Sequence, residues 1–285
     1  MAKLSPSYAA GLPLERMRCY APLEPLTYDP FGPLAGYSAE DAPWGGPIWS
    51  RLRSSIYPIL DLCVDAYYVS ISRTFQGEIE FVHHLDAVRQ FVREGADVDV
   101  SDDASGGTCL HFAAGSGALE LCKILLRARA RAAAQDRQLQ TPFWWAMAGD
   151  HVEVCSLLLE HDAHLAKLAN LGRMTPLHGA ASLGREEIVM MLLPFYKPRG
   201  PDVRGRELRT PLHLAARKCL YNVCVMLVEA AADPQASCSH GKTALHYAAE
   251  CGASGLELCH YLAQRRPLAR RLRDAGGRTP IEVAT

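Results

Sequence analysis

The chain has 285 residues, of which 49% are hydrophobic, and its formal net charge is −1. This apolar content excludes disorder along the whole chain, and the balanced charge gives no general attraction to nucleic acid or anionic membranes. The sequence contains neither an apolar run near the ~18 residues of a membrane-spanning helix nor the apolar core of a signal peptide. We therefore expect a folded, non-secreted protein without a transmembrane segment.

Residues 1–49 form a predicted extended arm. They hold eight of the chain's 18 prolines, which excludes regular helix, and they are rich in aromatic side chains for a linker. Such a segment either folds back over its own chain or lies on another protein in a polyproline-like conformation. We favour the second interpretation, which makes Trp44 and Trp49 candidate contact residues.

Residues 50–73 are predicted to form a helical cap on the domain that follows. Apolar side chains recur there at roughly helical spacing, namely Ile56, Ile59, Leu60, Cys63, Tyr67 and Ile71. A strand through residues 67–71 is the alternative.

A unit of nearly constant length is repeated over the rest of the chain. A tetrad led by threonine begins at Thr108, Thr141, Thr175, Thr210, Thr243 and Thr279. The intervals are 33, 34, 35, 33 and 36 residues, and counting back places a degenerate first copy near Thr74. A fixed period in this range indicates stacked repeats, in which neighbours bury the apolar face that one unit cannot bury alone.

One copy shows how a unit is expected to fold. Thr175 can cap a helix that Pro176 opens, and Gly184 ends that helix. Residues 187–193 then indicate a second helix with one apolar face. The segment 194–209 is the longest irregular connection between repeats, and it is either a binding loop or a tolerated surface insertion.

The Thr-Pro-Leu-His tetrads at Thr175 and Thr210, each followed by one residue and an alanine, closely resemble the ankyrin repeat. The resemblance implies an all-α solenoid of paired antiparallel helices with hairpin loops over residues 74–285, with a partial last repeat from Thr279. It implies that the tetrad histidine packs at the junction between repeats. It also implies a non-enzymatic module that binds proteins through a concave face of first helices and hairpin tips.

Other kinds of site have little support in the sequence. No motif for acyl transfer, phosphate binding or metalloproteolysis occurs, so we expect no catalytic residue, no cofactor and no small-molecule substrate. The densest group of metal-type ligands is Cys219, Cys224, Cys238 and His240. This group lacks a Cys-x2-Cys pair, and we expect no metal site.

Four of the ten cysteines occupy one position of their repeats, namely Cys122, Cys155, Cys224 and Cys259. Equivalent positions in stacked helices lie about 8–10 Å apart, whereas a disulfide needs Cα atoms within about 7 Å. We therefore expect free thiols throughout and a reducing compartment, the cytoplasm first, with the nucleus or an organelle matrix as alternatives.

The outward positions of the first helices are the candidate groove residues, namely Phe112, Trp145, Leu183, Leu214, Arg217, Lys218, Tyr247 and Glu250. The candidate tip residues are basic, namely Arg137, Arg173, Arg206 and Lys242. They favour an acidic partner segment, unless they are simply solvated surface charges. Trp144, which replaces a tetrad histidine, is expected to be half-buried, whereas Trp145 either contacts the partner or covers its neighbours.

The leading hypothesis is a scaffold that serves as an accessory subunit of a larger assembly, with its arm on a neighbour. The alternative is a regulatory binder that captures a partner transiently in its groove. Nucleic-acid binding is disfavoured, because aromatic residues do not interleave with the tip charges. A ligase-adaptor role is also disfavoured, since such adaptors carry a recruitment module after their repeats. The groove assignment predicts that Trp145→Ala with Tyr247→Ala abolishes binding without unfolding the stack.

Overall fold

Paired helices run through the part of the chain that the computed structural model describes, residues 59–60, 63–64, 85–198 and 200–284. The pairs are α1 (Cys109–Gly115) with α2 (Leu119–Arg127), α3 (Pro142–Ala148) with α4 (Val152–His161), α5 (Pro176–Leu183) with α6 (Glu186–Leu192), α7 (Pro211–Arg217) with α8 (Tyr221–Glu229), and α9 (Ala244–Glu250) with α10 (Leu256–Arg265). A last helix, α11 (Pro280–Val283), follows, and residues 85–93 are also helical. None of the helices in these ranges is long and apolar enough to cross a membrane.

Several predictions fall on residues that are not described. They are the arm (1–49) with Trp44 and Trp49, the copy that begins near Thr74, and the alternative strand at 67–71. Of the predicted cap (50–73), residues 59–60 and 63–64 are described, and they are helical and buried.

The threonine of each tetrad begins a first helix with an extended backbone, and in four tetrads its side chain meets the histidine three residues later. Thr175 has φ −82° and ψ 163°, and Pro176 takes the first helical position, where a missing N–H has no cost. The Thr175 N–H donates to His178 Nδ1 at 3.2 Å. At the other end, Gly184 adopts φ +74° and ends α5 as a left-handed cap.

The helix pairs form two layers. The first helices α1, α3, α5, α7, α9 and α11 pack on one another in chain order, and the second helices α2, α4, α6, α8 and α10 pack behind them. Ala113, Ala180 and Ala215 are fully buried in the first layer, where their small side chains let neighbouring backbones approach. The predicted all-α solenoid of paired helices is confirmed.

A hairpin precedes each first helix of the stack. Two examples are closed by bonds from Asp136 N–H to the Gln140 carbonyl at 2.9 Å and from Asn170 N–H to the Met174 carbonyl at 3.0 Å. Neighbouring tips also bond to one another, as where the Leu171 N–H donates to the Gln138 carbonyl at 2.8 Å. The hairpin tips therefore form a continuous edge beside the first helices.

Candidate protein-binding groove and hairpin tips

The tetrad histidines hold consecutive repeats together. His111 Nδ1 accepts the Thr108 N–H at 3.0 Å, so the proton lies on Nε2, which donates to the Gln140 carbonyl of the next hairpin at 3.0 Å. Three further histidines make the same bridge at 3.1 Å, namely His178 to Arg209, His213 to Lys242 and His246 to Arg278. The implied position at the repeat junction is confirmed, and these histidines are not available to a partner.

Burial keeps these histidines neutral. Removal of water lowers the pKa of His111, His178 and His213 to about 4, although the bond to the carbonyl acts in the opposite direction. The pKa of His246 is also lowered, and again the larger cause is burial.

The second tetrad departs from this pattern because it carries Trp144. The ring is 2% exposed, so the expectation of a half-buried side chain is wrong, and its Nε1–H donates to the Leu168 carbonyl at 3.3 Å. An indole has no acceptor nitrogen, and Thr141 Oγ1 is consequently buried without a hydrogen-bond partner. A Cβ at Gly179 would lie 2.5 Å from Met147 Cε and 2.7 Å from Trp144 Cζ3, so the next helix approaches closely here.

Trp145 closes the floor of the groove. Its side chain is 7% exposed, and its Nε1–H donates to Asp136 Oδ2 in the hairpin before it at 3.0 Å. The ring also packs edge-on against His111 and Phe112 of the preceding repeat, with centroid distances of 5.5 and 5.3 Å. Of the two interpretations of Trp145, the structure therefore supports covering its neighbours.

Tyr247 has the corresponding place three repeats later. It is also buried, and its hydroxyl accepts a hydrogen bond from Arg209 Nε at 3.2 Å. The Arg209 guanidinium and Lys242 Nζ lie 5.7 and 5.6 Å from the ring centroid, within the range of cation–π attraction. Its edge packs on His213 of the preceding repeat at 5.8 Å. Trp145 and Tyr247 each join a hairpin to the preceding helix pair.

The remaining groove candidates divide by burial. Phe112 and Leu214 are buried and Leu183 is partly buried, so apolar side chains form the floor and do not project from it. Arg217 and Lys218, at the end of α7, are exposed. Glu250 is exposed and pairs with Lys242. Of the groove candidates, the charged side chains are exposed and the aromatic ones are buried.

The hairpin tips contain a feature that the sequence interpretation missed. Two residues before the tetrad threonine, the backbone is left-handed in every hairpin, with glycine in three of them, namely Gly106, Gly241 and Gly277. In the three central hairpins this position holds Leu139, Arg173 and Leu208, with φ values of 57°, 59° and 56°. A side chain other than glycine costs about 1–2 kcal/mol in this region. The three central hairpins therefore carry a leucine or an arginine at a position where glycine would avoid this cost.

The basic tip candidates lie at the surface, with one exception. Arg137, Arg173 and Arg206 are exposed, whereas Lys242 is partly buried beside Tyr247. Arg137 Nη2 donates to the Asp103 carbonyl on the first tip, and Arg173 makes no ion pair within the described residues. Among the four basic tip candidates, the exposed charges therefore lie on the same three central tips.

The expectation of free thiols throughout is wrong, because Cys219 and Cys251 form a disulfide. Cys219 lies nine residues after Thr210, and Cys251 eight residues after Thr243. Because the two cysteines are offset by one residue within their repeats, their Cα atoms lie 6.7 Å apart. This is within the distance of about 7 Å that a disulfide needs, whereas equivalent positions of stacked helices lie about 8–10 Å apart.

The predicted core thiols are free. Cys122, Cys155 and Cys224 are buried and Cys259 is partly buried. Burial raises the pKa of the Cys122 and Cys224 thiols to about 12, which makes them unreactive at neutral pH. In the candidate metal group, the Cys219 sulfur is taken up by its disulfide.

The irregular segment 194–209 is tied to the stack at both ends. The Tyr196 hydroxyl donates to the Ala166 carbonyl of the preceding repeat at 2.7 Å, and burial raises the pKa of this phenol to about 12. At the other end, a Cβ at Gly205 would lie 2.6 Å from Met174 Sδ, so the fourth described hairpin packs closely on the third.

Known proteins with this repeat match most of the chain. A family model described as "Ankyrin repeats (3 copies)" matches residues 79–169, 164–238 and 209–270. The chain is 30% identical over 173 residues to Neurogenic locus notch homolog protein 1 of Danio rerio, which covers 61% of the chain and 6% of that protein. It is 28% identical over 209 residues to Ankyrin repeat and SOCS box protein 16 of Homo sapiens, which covers 70% of the chain and 45% of that protein. The match thus spans less than half the length of these relatives.

A solved structure shows the same fold. The crystal structure of the ankyrin repeat domain of Bcl-3, described as a unique member of the IkappaB protein family, superposes with a TM-score of 0.63 at 24% identity. The superposition covers 79% of this chain and 93% of that one. An ankyrin stack is a scaffold for protein–protein interaction and typically a non-enzymatic module. The chain belongs to the ankyrin-repeat family.

Proposed function

We propose that this chain holds a partner protein in its concave groove and on its hairpin tips, and that it catalyses no reaction itself. One observation carries the proposal: the aromatic floor is fixed by bonds within the chain, while charged side chains beside it are exposed. Trp145 and Tyr247 are held by Asp136 and Arg209 before any partner arrives. A surface whose shape is already fixed loses little conformational entropy on binding.

Exposure ranks the proposed contact residues. In the groove, the exposed side chains are those of Arg217, Lys218 and Glu250. On the tips, they are those of Arg137, Arg173 and Arg206. The buried floor, made of Phe112, Trp145, Leu214 and Tyr247, offers ring edges and shape, with Leu183 at its margin. Exposed charges of this kind set the choice and the orientation of a partner.

The finer proposal is an accessory subunit of a larger assembly. Its support is the sequence of residues 1–49, in which prolines alternate with aromatic side chains such as Trp44 and Trp49. Segments of this composition bind other proteins in an extended, polyproline-like conformation. Because that conformation is largely formed before binding, the segment loses little conformational entropy when it binds. The free buried thiols favour a location inside the cell, the cytoplasm first, and the Cys219–Cys251 disulfide argues in the opposite direction, because disulfides are rare in the cytosol.

The experiment purifies three proteins from the native cell and compares what accompanies them: the intact chain, the chain without residues 1–49, and Arg217→Glu with Lys218→Glu. Stoichiometric partners that disappear only with the truncation establish a subunit anchored by its arm. Partners that survive truncation and disappear with the charge reversal establish a binder that uses the groove transiently. An intact chain that retains no protein at all contradicts both.

A further inference from the structure

The turn between the two helices of a pair is linked to the preceding repeat by the residue ten positions after the tetrad threonine. His151 Nε2 donates to the Gly115 carbonyl at 3.0 Å. In the next repeat, Arg185 Nη2 donates to the Ala148 carbonyl at 3.0 Å. Hydrogen bonds therefore hold these two turn junctions, and such bonds do not depend on redox conditions.

The last two turn junctions lack such a hydrogen bond within the described residues. The residue at the same position is Leu220 in the next repeat, and a Cβ at Gly184 of the preceding turn would lie 3.1 Å from its Cδ2. In the last repeat it is Ala253, whose side chain is too short for this contact. The last turn is also longer, since α10 begins thirteen residues after its tetrad threonine, against eleven for α2, α4, α6 and α8. At this junction the Cys219–Cys251 disulfide provides the link.

Cys219 has a backbone conformation that most other repeats give to glycine. Its φ is 54°, in the left-handed region. The same position is left-handed in the four other repeats, where it holds Gly117, Asp150, Gly184 and Gly252. Side chains other than glycine are disfavoured there, and aspartate is one of the few that the region tolerates. A cysteine at this position therefore points to a role for its sulfur.

The bonded cysteines are more exposed than most of the free ones. Cys219 and Cys251 are partly exposed, whereas six of the seven free cysteines in the described part of the chain are buried. Thiol–disulfide exchange requires access to the sulfur, so small thiols can reach this bond. In reducing compartments, disulfides are mainly transient bonds that respond to redox conditions. A reversible bond therefore reconciles the disulfide with the free buried thiols.

Exposed charges of the groove lie on both sides of the bond. Arg217 and Lys218 directly precede Cys219, and Glu250 directly precedes Cys251. The disulfide thus fixes the spacing between the charges at the end of α7 and the charge at the end of α9. The two cations also attract an incoming thiolate, which is an anion.

We propose that the Cys219–Cys251 disulfide is an exchange site for small thiols of the glutathione class, and that its opening loosens the last repeat from the stack before it. The reduced chain keeps the packing of α9 on α7 and the bond from His213 to the Lys242 carbonyl, so it stays folded. The exchange site goes beyond the proposed protein-binding function. Only its effect on the spacing of the groove charges depends on that function.

The exchange has two steps. A first glutathione thiolate attacks one sulfur of the bond, so a mixed disulfide forms, the Cys219–Cys251 bond breaks and the other cysteine leaves as a thiolate that takes a proton from water. A second glutathione thiolate attacks the glutathione sulfur of the mixed disulfide and releases the remaining cysteine, which is protonated in turn. Two electrons pass to the protein, and the two glutathiones leave as their disulfide. Oxidised glutathione drives the same steps in reverse.

The first measurement tests whether the bond opens. The full-length chain is equilibrated with reduced and oxidised glutathione at ratios from about 1:1 to about 1000:1 and constant total concentration, and peptide mass spectrometry after alkylation gives the bonded fraction. We expect half of the molecules to open within this range. A bond that stays complete at every ratio is a purely structural disulfide and overturns the inference.

The second measurement tests what the opening does. Hydrogen exchange is compared between the oxidised and the reduced chain, and we expect the amides of α9, α10 and α11 to exchange at least about tenfold faster after reduction. The amides of α1 to α6 should be unchanged, because a repeat contacts only its neighbours. Cys219→Ser with Cys251→Ser should behave as the reduced chain under both conditions. Cys259→Ser is the matched control and should keep the response, since that thiol is free on α10.

Equal exchange in the oxidised and the reduced chain overturns the inference, and so does a rise of equal size in all helices. A response that persists in Cys219→Ser with Cys251→Ser also overturns it, because another cysteine would then be responsible. If the last repeat responds to glutathione but the chain retains no native partner, this inference stands and the proposed function does not. If the bond resists glutathione while partners are retained, the proposed function stands and this inference does not.

Discussion

At the scale of single residues, one exchange of histidine for tryptophan leaves a buried hydroxyl unpaired. Thr141 Oγ1 has no partner, whereas Thr175 Oγ1 lies 2.9 Å from His178 Nδ1. We expect Thr141→Val to leave the free energy of unfolding unchanged or raise it by up to about 1 kcal/mol, and Thr175→Val to lower it by about 1 kcal/mol. Urea unfolding of the two variants side by side decides this, and equal losses would contradict it.

The burial of Trp145 changes what its substitution tests. Trp145→Ala removes a buried ring and the donor to Asp136, whose pKa burial already raises above its usual range. We expect a loss of about 3–5 kcal/mol in the free energy of unfolding. We therefore expect the combination with Tyr247→Ala to destabilise the stack, which revises the sequence-based prediction. Trp145→Phe is the milder variant, because it keeps a smaller ring in place but removes the hydrogen bond to Asp136, and we expect it to cost about 1–3 kcal/mol. Chemical denaturation of Trp145→Ala, of its combination with Tyr247→Ala and of Trp145→Phe measures the three losses in the free energy of unfolding.

At the scale of elements, the disulfide joins the turn after α7 to the end of α9. The bond closes a loop between positions 32 residues apart, and in the chain-entropy account a loop of that length stabilises by about 3–4 kcal/mol. We expect a reducing agent, or Cys219→Ser with Cys251→Ser, to lower the thermal midpoint. Cys259→Ser is the control, since that thiol is free and only partly buried. Alkylation of the unfolded, unreduced protein should leave two cysteines unmodified, and complete alkylation would contradict the bond.

Local signatures determined which elements could be predicted. Thr175, Pro176 and His178 encode a helix start and a bridge within a few residues, so the helices and the scaffold histidines follow from the sequence. The burial of Trp145 depends on Asp136 and on rings of the preceding repeat, and no local pattern reports those contacts. Sequence reasoning assigns aromatic side chains to the groove but cannot determine which of them the stack has already covered.

At the scale of the whole molecule, the sequence allows a prediction of which hairpin tips lack the expected glycine, but it does not show where their side chains lie. Glycine stands two residues before Thr108, Thr243 and Thr279, so its replacement by Leu139 and Leu208 is visible in an alignment of the repeats with one another. That both side chains are exposed at hairpin tips is known only from the structure. The disulfide needed the same information, because only the superposition of repeats brings Cys219 to Cys251.

The repeated histidines make the stability of the entire stack depend on pH. For His111, His178 and His213, the pKa is about 4 in the folded chain against an ordinary value of 6.5. The unfolded chain therefore binds more protons between these limits, so the stabilising effect is complete above pH 6.5 and disappears as the pH falls toward 4. The slope is at most about 1.4 kcal/mol per pH unit for each histidine. Thermal midpoints between pH 7.5 and 4.5 should fall accordingly, and His178→Gln, which removes one titrating group, should reduce the slope. A midpoint that stays constant over this interval would show that the buried histidines do not control the acid stability of the repeats.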